Sequence, residues 1–168
     1  MNAGAYNGEI AGVTESVEVM EPDGRCRVYN REEMAFGYRT SIVKTKPCVV
    51  LSTVLKLKKG DRSEISATMQ ELSAKRREKQ PLEYPSAGST FKRPEGYFAG
   101  KLIMDAGLAG ACVGGAQVSE KHCGFVINRK NATSADVAGL IQKVTETVQE
   151  KFGVTLEPEV IFLGDFEK

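Results

Sequence analysis

The feature that most restricts the fold of this chain is the stretch from Thr133 to Gly153. Thr133 followed three residues later by Asp136 is the reciprocal start signal of a helix, and Gly153 is the residue type that ends one. Between them Val137, Leu140, Ile141, Val144 and Val148 recur at helical spacing, so one face is apolar along the whole length. A helix with such a face needs a second layer to bury it. Strands are available. Ser16 to Glu21 alternates, Pro22-Asp23-Gly24 has turn chemistry, and Arg25 to Tyr29 alternates again, which together predict a β-hairpin. Asn30 is expected to cap one short turn, Arg31 to Phe36. Cys48 to Lys58 reads as a strand with Val49, Leu51, Thr53, Leu55 and Leu57 on a buried face and Ser52 and Lys56 on a wet one.

Asp61-Arg62-Ser63-Glu64 resembles a capping box, and Ile65, Met69 and Leu72 follow at helical spacing. They predict an amphipathic helix from 61 to about 78 that ends in the basic run 75–79. The segment 80–94 carries three prolines and reads as a loop. A short helix is expected from about Tyr97 to Gly107. Glycines 107, 110, 114 and 115 then keep the chain in loops until a short apolar strand, 123–128, and the chain is expected to end in a strand over about 157–163. The fold class is α+β, with a sheet-rich first third joined to a more helical remainder near Lys58-Lys59-Gly60.

With 168 residues, 41% of them hydrophobic and 27% charged, the chain can bury one good core or two small ones. A formal net charge of +1 lacks the excess of Lys and Arg expected of a nucleic-acid or membrane-surface protein, so an anionic ligand must be gripped locally. No apolar run approaches the ~18 residues of a membrane span, and the first ten residues lack the basic start and apolar middle of a signal peptide, so a cytoplasmic location is the default expectation. The four cysteines, Cys26, Cys48, Cys112 and Cys123, form no C-x-x-C pair and read as mostly buried, reduced thiols.

Two phosphate-loop candidates fail. Gly96 to Leu102 is one residue short of a P-loop and has Leu102 where a Ser or Thr must meet magnesium. The Gly107 to Gly115 cluster lacks the dinucleotide-binding spacing. His122, the lone histidine, has no second ligand candidate beside it, so neither a metal site nor a catalytic triad is indicated. Arg39, Lys79, Ser89 and Glu159 remain as polar residues in unusual local settings. Each has a structural reading beside a chemical one: a surface pair for Arg39, a turn for Ser89, the solvent face of the last strand for Glu159.

Five strings, NAGAYNGEI, YRTSIVK, RREKQPLEYPSAGSTFKRPEGYFAGKLI, VGGAQVSEKHCGFVIN and LEPEVIFLG, occur in this order along the chain. Together they resemble the UDP-N-acetylenolpyruvoylglucosamine reductases, the MurB flavoenzymes of bacterial peptidoglycan and cell-wall synthesis. The resemblance implies that NADPH reduces FAD and that hydride then passes to the enolpyruvyl ether of a UDP-sugar. It assigns Ser89 as the donor of the proton, Arg39 as the cation that stabilises the enolate-like intermediate, and Glu159 as the assisting carboxylate. Lys79, Lys92, Arg93 and His122 fall at substrate-contacting positions, with Arg93 replacing an asparagine seen in some members. Gly4, Ala5 and Tyr38 fall at flavin-contacting ones, and Asn7 stands where glycine is common. The short interval between Arg39 and Ser89 resembles the branch without a tyrosine-bearing lid.

Family members carry, before the NAGAY loop, a first flavin domain with a glycine-serine loop for the FAD diphosphate. The resemblance therefore implies that residues 1–60 are a C-terminal remnant of a PCMH-like α+β FAD-binding domain and residues 61–168 the MurB-type substrate-binding domain. Two further readings stand beside a truncated reductase. One is a non-catalytic UDP-sugar-binding domain. The other is one subunit of a split reductase, completed by a separate N-terminal flavin-domain polypeptide, which predicts an exposed apolar edge around residues 1–57.

Overall fold

The computed structural model describes residues 1–166. The chain divides into two compact units, Met1–Arg62 and Ser63–Lys168. In the first, β1 (Gly4–Ala5) and β2 (Gly8–Glu9) form a tight hairpin whose turn residues Tyr6 and Asn7 have φ of 49° and 63°. The expected longer hairpin follows as β3 (Thr14–Met20) and β4 (Cys26–Asn30), paired antiparallel from Ser16 opposite Asn30 to Met20 opposite Cys26. Its turn closes where the Glu21 N–H donates to the Arg25 carbonyl, with Gly24 at φ 82°. Asn30 caps the next turn reciprocally: the Glu33 N–H donates to Asn30 Oδ1 and the Asn30 N–H to Glu33 Oε2, each at 2.9 Å. Val17 and Val19, alternate residues of β3, pack with Tyr29 and Met34 into a small core, flanked by Phe36, Ile42, Val43 and Cys48.

The third strand, β5 (Val49–Leu55), pairs with the other edge of β3 but buries neither face. Val49 is 57% exposed and Leu51 48%, so the expected buried face is corrected. Backbone hydrogen bonding to β3 is enough to make the strand, while the alternation that signals burial finds no second layer within this unit.

The helix α1 (Arg62–Lys79) forms as expected, yet none of its residues is buried, and Ile65 and Met69 are exposed. It is supported by the Glu71–Lys75 pair one turn apart and by Lys121 Nζ, which donates to the Arg77 carbonyl at 2.8 Å. The proline-bearing loop contains a strand that the sequence reading missed, β6 (Ser86–Ser89). After α2 (Ala99–Asp105), the glycine cluster also holds a small hairpin, β7 (Cys112–Val113) and β8 (Ala116–Val118), before β9 (Phe125–Asn128). The four strands make an antiparallel sheet in the order β6-β9-β8-β7.

Against this sheet packs α3 (Ser134–Phe152). Its capping box is complete: Thr133 Oγ1 accepts from the Asp136 N–H at 3.1 Å and Asp136 Oδ2 accepts from the Thr133 N–H at 2.9 Å. Gly153, at φ 67°, ends the helix. Leu140, Ile141, Val144 and Val148 join Ile103, Val118, Val126 and Leu156 in the main core. The expected final strand is absent. Residues 157–159 make a single bridge, Phe91 opposite Pro158, and the Thr90 N–H that would extend the pairing to the Glu159 carbonyl is donated to the Gly124 carbonyl. The cysteines are free, but only Cys123 is buried, whereas Cys26 and Cys112 lie exposed on edge strands. No described helix is long and apolar enough to cross a membrane.

Candidate functional site

Within Met1–Arg62, the proposed flavin-side residues gather around one turn. Gly37 and Thr40 exchange backbone hydrogen bonds of 3.2 and 3.3 Å, and Arg39 between them has φ 54°, a left-handed conformation that costs a side-chain-bearing residue roughly 1–2 kcal/mol. Arg39 Nη2 donates to the Gly4 carbonyl at 3.5 Å, its guanidinium lies 5.2 Å from the Tyr38 ring centre, and Lys44 Nζ donates to the Arg39 carbonyl at 3.4 Å. A Cβ on Gly4 would sit 3.2 Å from both Arg39 Nη1 and Glu9 Cγ, so a side chain there would push one of these two side chains aside by a few tenths of an ångström. Gly4, Tyr38 and Arg39 are thus brought together, with Ala5 exposed beside them. The sequence reading missed Asn2, which is 2% exposed. Its Nδ2 donates to Glu9 Oε2 at 2.8 Å and to the Gly37 carbonyl at 3.2 Å, and its Oδ1 accepts from the Ala11 N–H at 3.0 Å.

Within the second unit, Ser89 ends β6 in an exposed position opposite Phe125, directly after Gly88 at φ 85°. Thr90, 2% exposed, fixes this point. Its N–H donates to the Gly124 carbonyl at 2.8 Å, its Oγ1 accepts from the Val126 N–H at 3.0 Å, and its carbonyl accepts from the Glu159 N–H at 2.8 Å. The Lys92 N–H donates to the Glu157 carbonyl at 2.8 Å, and the Lys92 ammonium pairs with the Glu157 carboxylate. Ser89, Lys92 and half-buried Glu159 are therefore neighbours at the end of the sheet where β6 stops and β9 begins.

His122 lies at the same end. Its Nδ1 accepts from the Gly124 N–H at 3.1 Å, which puts the ring proton of the neutral form on Nε2, and the ring meets Phe125 edge-on at 4.9 Å. Arg93 is exposed, stacked over Phe98 at 4.0 Å, with Nε donating to the Tyr97 carbonyl at 3.2 Å. Lys79 is the exposed last residue of α1, whose end is tied through Lys121 to the segment that carries His122. The Glu83 carboxyl is held below the ordinary carboxylate range by its own backbone N–H and by the Lys121 ammonium. Thr90 and Lys121 went unread in the sequence, where nothing separates a buried threonine or a capping lysine from their surface counterparts. Among the described residues no group of three or more His, Cys, Asp and Glu side chains is placed to hold a metal ion.

Residues 80–163, which carry this second cluster, match the family model described as UDP-N-acetylenolpyruvoylglucosamine reductase, C-terminal domain. The chain belongs to the UDP-N-acetylenolpyruvoylglucosamine reductase family. It is 60% identical over 166 residues to the protein of that name from Agathobacter rectalis, covering 99% of this chain and 53% of the relative. The Lachnoclostridium phytofermentans protein of the same name is 58% identical over 165 residues, covering 98% of this chain and 53% of that protein. The crystal structure of the Thermus caldophilus reductase (MurB) matches with a TM-score of 0.81 at 41% identity, over 95% of this chain and 57% of the other. The chain thus spans little more than half the length of these members of the reductase family.

FAD fits the described residues only in part. The β1–β2 hairpin is bare at Gly8, where only the Ala5 carbonyl oxygen lies within 4 Å of a would-be Cβ, whereas Gly4 is already covered by Arg39 and Glu9. A dinucleotide's diphosphate needs a cradle of backbone N–H groups at a glycine-rich loop or helix start. Before α1, the described helical segments of the first unit are the single turns Ile10–Gly12 and Ile42–Lys44, and they offer no such cradle.

Proposed function

We propose that this chain carries the substrate-binding and protonating half of a UDP-N-acetylenolpyruvoylglucosamine reductase, a flavin-dependent oxidoreductase of peptidoglycan synthesis that works in the cytoplasm. In this reading Met1–Arg62 is the closing part of the FAD-binding domain and Ser63–Lys168 the substrate domain. When bound, FAD supplies a hydride drawn from NADPH. This chain's own residues do the rest. Hydride addition to the enolpyruvyl ether pushes negative charge onto the carboxylate-bearing fragment, where a fixed guanidinium, Arg39, stabilises it as it develops. The Ser89 hydroxyl gives a proton to the adjacent carbon, with Glu159 assisting. Lys79, Lys92, Arg93 and His122 hold the anionic substrate, while Gly4, Ala5 and Tyr38 border the flavin.

The observation that supports this reading most strongly is the Thr90 junction, which joins the Ser89 strand to Glu159 by a backbone hydrogen bond across 69 residues of chain. The bond brings the Glu159 backbone alongside the residue after Ser89, as a shared role for the two side chains requires. A second reading, that a separate flavin-domain polypeptide completes the site, draws support from the exposed apolar side chains of β5. Calorimetric titration with the UDP-sugar tests the binding half of the proposal. The wild-type chain is expected to show a salt-sensitive signal that Lys79→Ala weakens by roughly 10- to 100-fold, the scale of one charge-assisted hydrogen bond. Equal isotherms for the two would remove Lys79 from the site.

A further inference from the structure

The turn that carries Arg39 is not held by its own conformational preference, since a left-handed arginine persists only where its surroundings over-determine it. The surroundings converge on one side chain. The Asn2 amide spends both its donors and an acceptor on three separate segments: Glu9 on β2, Gly37 at the turn, and Ala11 in the single helical turn after β2. It does so while almost wholly buried, where a missing partner is costly. The same network pins Glu9 beside Gly4, where Arg39 also lies, each 3.2 Å from where a Cβ on Gly4 would be.

From this geometry we infer that Asn2 is a positioning residue for Arg39: its amide clamps the β1–β2 hairpin to the Gly37–Thr40 turn, and the clamp holds the guanidinium over Gly4. The bond that matters most is Nδ2 to the Gly37 carbonyl, because it alone of the three ends on the turn. Without it the turn is free to relax from its positive φ, carrying the guanidinium away from the hairpin. The functional weight of this device rests on the reading of Arg39 as the charge-stabilising residue, but the device itself is testable without substrate or FAD.

The test uses the full chain labelled with 15N. It follows the Arg39 Nε–Hε signal, assigned by its loss in Arg39→Lys, and hydrogen exchange of the Gly37, Arg39 and Thr40 amides, with the Val17 and Val19 amides reporting on the sheet. Glu9→Gln keeps an acceptor for Asn2 and is expected to change nothing at the turn. Asn2→Asp combined with Glu9→Gln reverses the donor between those two positions and keeps an acceptor for the Ala11 N–H, but leaves the Gly37 carbonyl without a donor. In the double variant the sheet amides are expected to stay in place. Exchange at the turn should rise about fivefold or more, the scale of one neutral hydrogen bond, and the Arg39 signal should move toward that of a free guanidinium.

An unchanged Arg39 signal and unchanged turn exchange in the double variant would overturn the inference. Collapse of the sheet amides would overturn it equally, by making Asn2 part of the folding core and not a clamp on the turn. None of these outcomes depends on whether Arg39 is catalytic. That question is answered separately by the activity of Arg39→Lys in a flavin-loaded preparation.

Discussion

Thr90→Val isolates the junction beneath Ser89. The substitution keeps the size and β-branching of the side chain and exchanges a hydroxyl for a methyl, so no cavity opens. What is lost is the acceptor of the Val126 N–H, a bond of 3.0 Å between residues that are 2% and 7% exposed, out of reach of replacing water. Leaving such a donor unpaired costs about 1–3 kcal/mol. With a urea m-value of roughly 1–2 kcal/mol/M for a unit of this size, the unfolding midpoint should fall by about 0.5–3 M. Thr90→Ser is the control. It keeps the acceptor and removes one buried methyl, worth about 0.8 kcal/mol. Urea titrations followed by far-UV circular dichroism should therefore rank wild type above Thr90→Ser and Thr90→Ser above Thr90→Val, with faster exchange of the Val126 amide in the valine variant. A valine variant as stable as the serine one would refute the reasoning, because it would mean that the hydroxyl carries no net bond.

Gly115→Ala should be among the most damaging single-atom additions in the chain, since its Cβ would fall 2.2 Å from the Lys130 carbonyl oxygen and 2.6 Å from the Ala132 nitrogen. A loss of about 3 kcal/mol is expected, against no more than about 0.5 kcal/mol for Gly12→Ala, where nothing lies within 4 Å; thermal melts compare the two. Asp136 has its carboxyl held below the ordinary range by the Thr133 N–H first and the Gly115 N–H second. Because the folded value is the lower one, the stability this carboxylate lends is fully present above the unfolded value of about 3.9 and is lost as pH falls through the folded value. Urea midpoints of wild type and Asp136→Asn should differ at neutral pH and converge in acid, and a difference that stays constant across that range would contradict the capping role.

The elements that could be read from the sequence are those whose signals are local. The ends of α3 are written in Thr133, Asp136 and Gly153 and its buried face in the spacing of Leu140, Ile141, Val144 and Val148, so helix and core appear together. The β3–β4 hairpin was legible for the same reason. What could not be read is set by partners distant in the chain. β6 is a strand only because β9 runs beside it, and Pro81 and Pro85 before it disguise the segment as loop. The alternation in β5 and the spacing in α1 describe faces that are apolar, not faces that are covered. Among the candidate residues, Ser89 and Glu159 stood out as polar residues in unusual settings and took their roles, like Lys92, from family resemblance, but the residues that tie Ser89, Glu159 and Arg39 in place, Thr90 and Asn2, are small polar residues whose burial no local pattern announces.

The most direct test of the proposed function joins this chain to the remaining part of the Agathobacter rectalis relative, so that FAD is held, and follows flavin reduction by NADPH and reoxidation by the UDP-sugar in stopped flow. If Ser89 donates the proton, Ser89→Ala should leave the reduction step unchanged and slow reoxidation by about 10²–10⁴-fold, the usual scale for a lost general acid, with Ser89→Cys intermediate because a thiol still carries a proton. An alanine variant whose reoxidation stays within about threefold of wild type, or one whose two steps fall together in proportion to unfolded protein, would contradict the account.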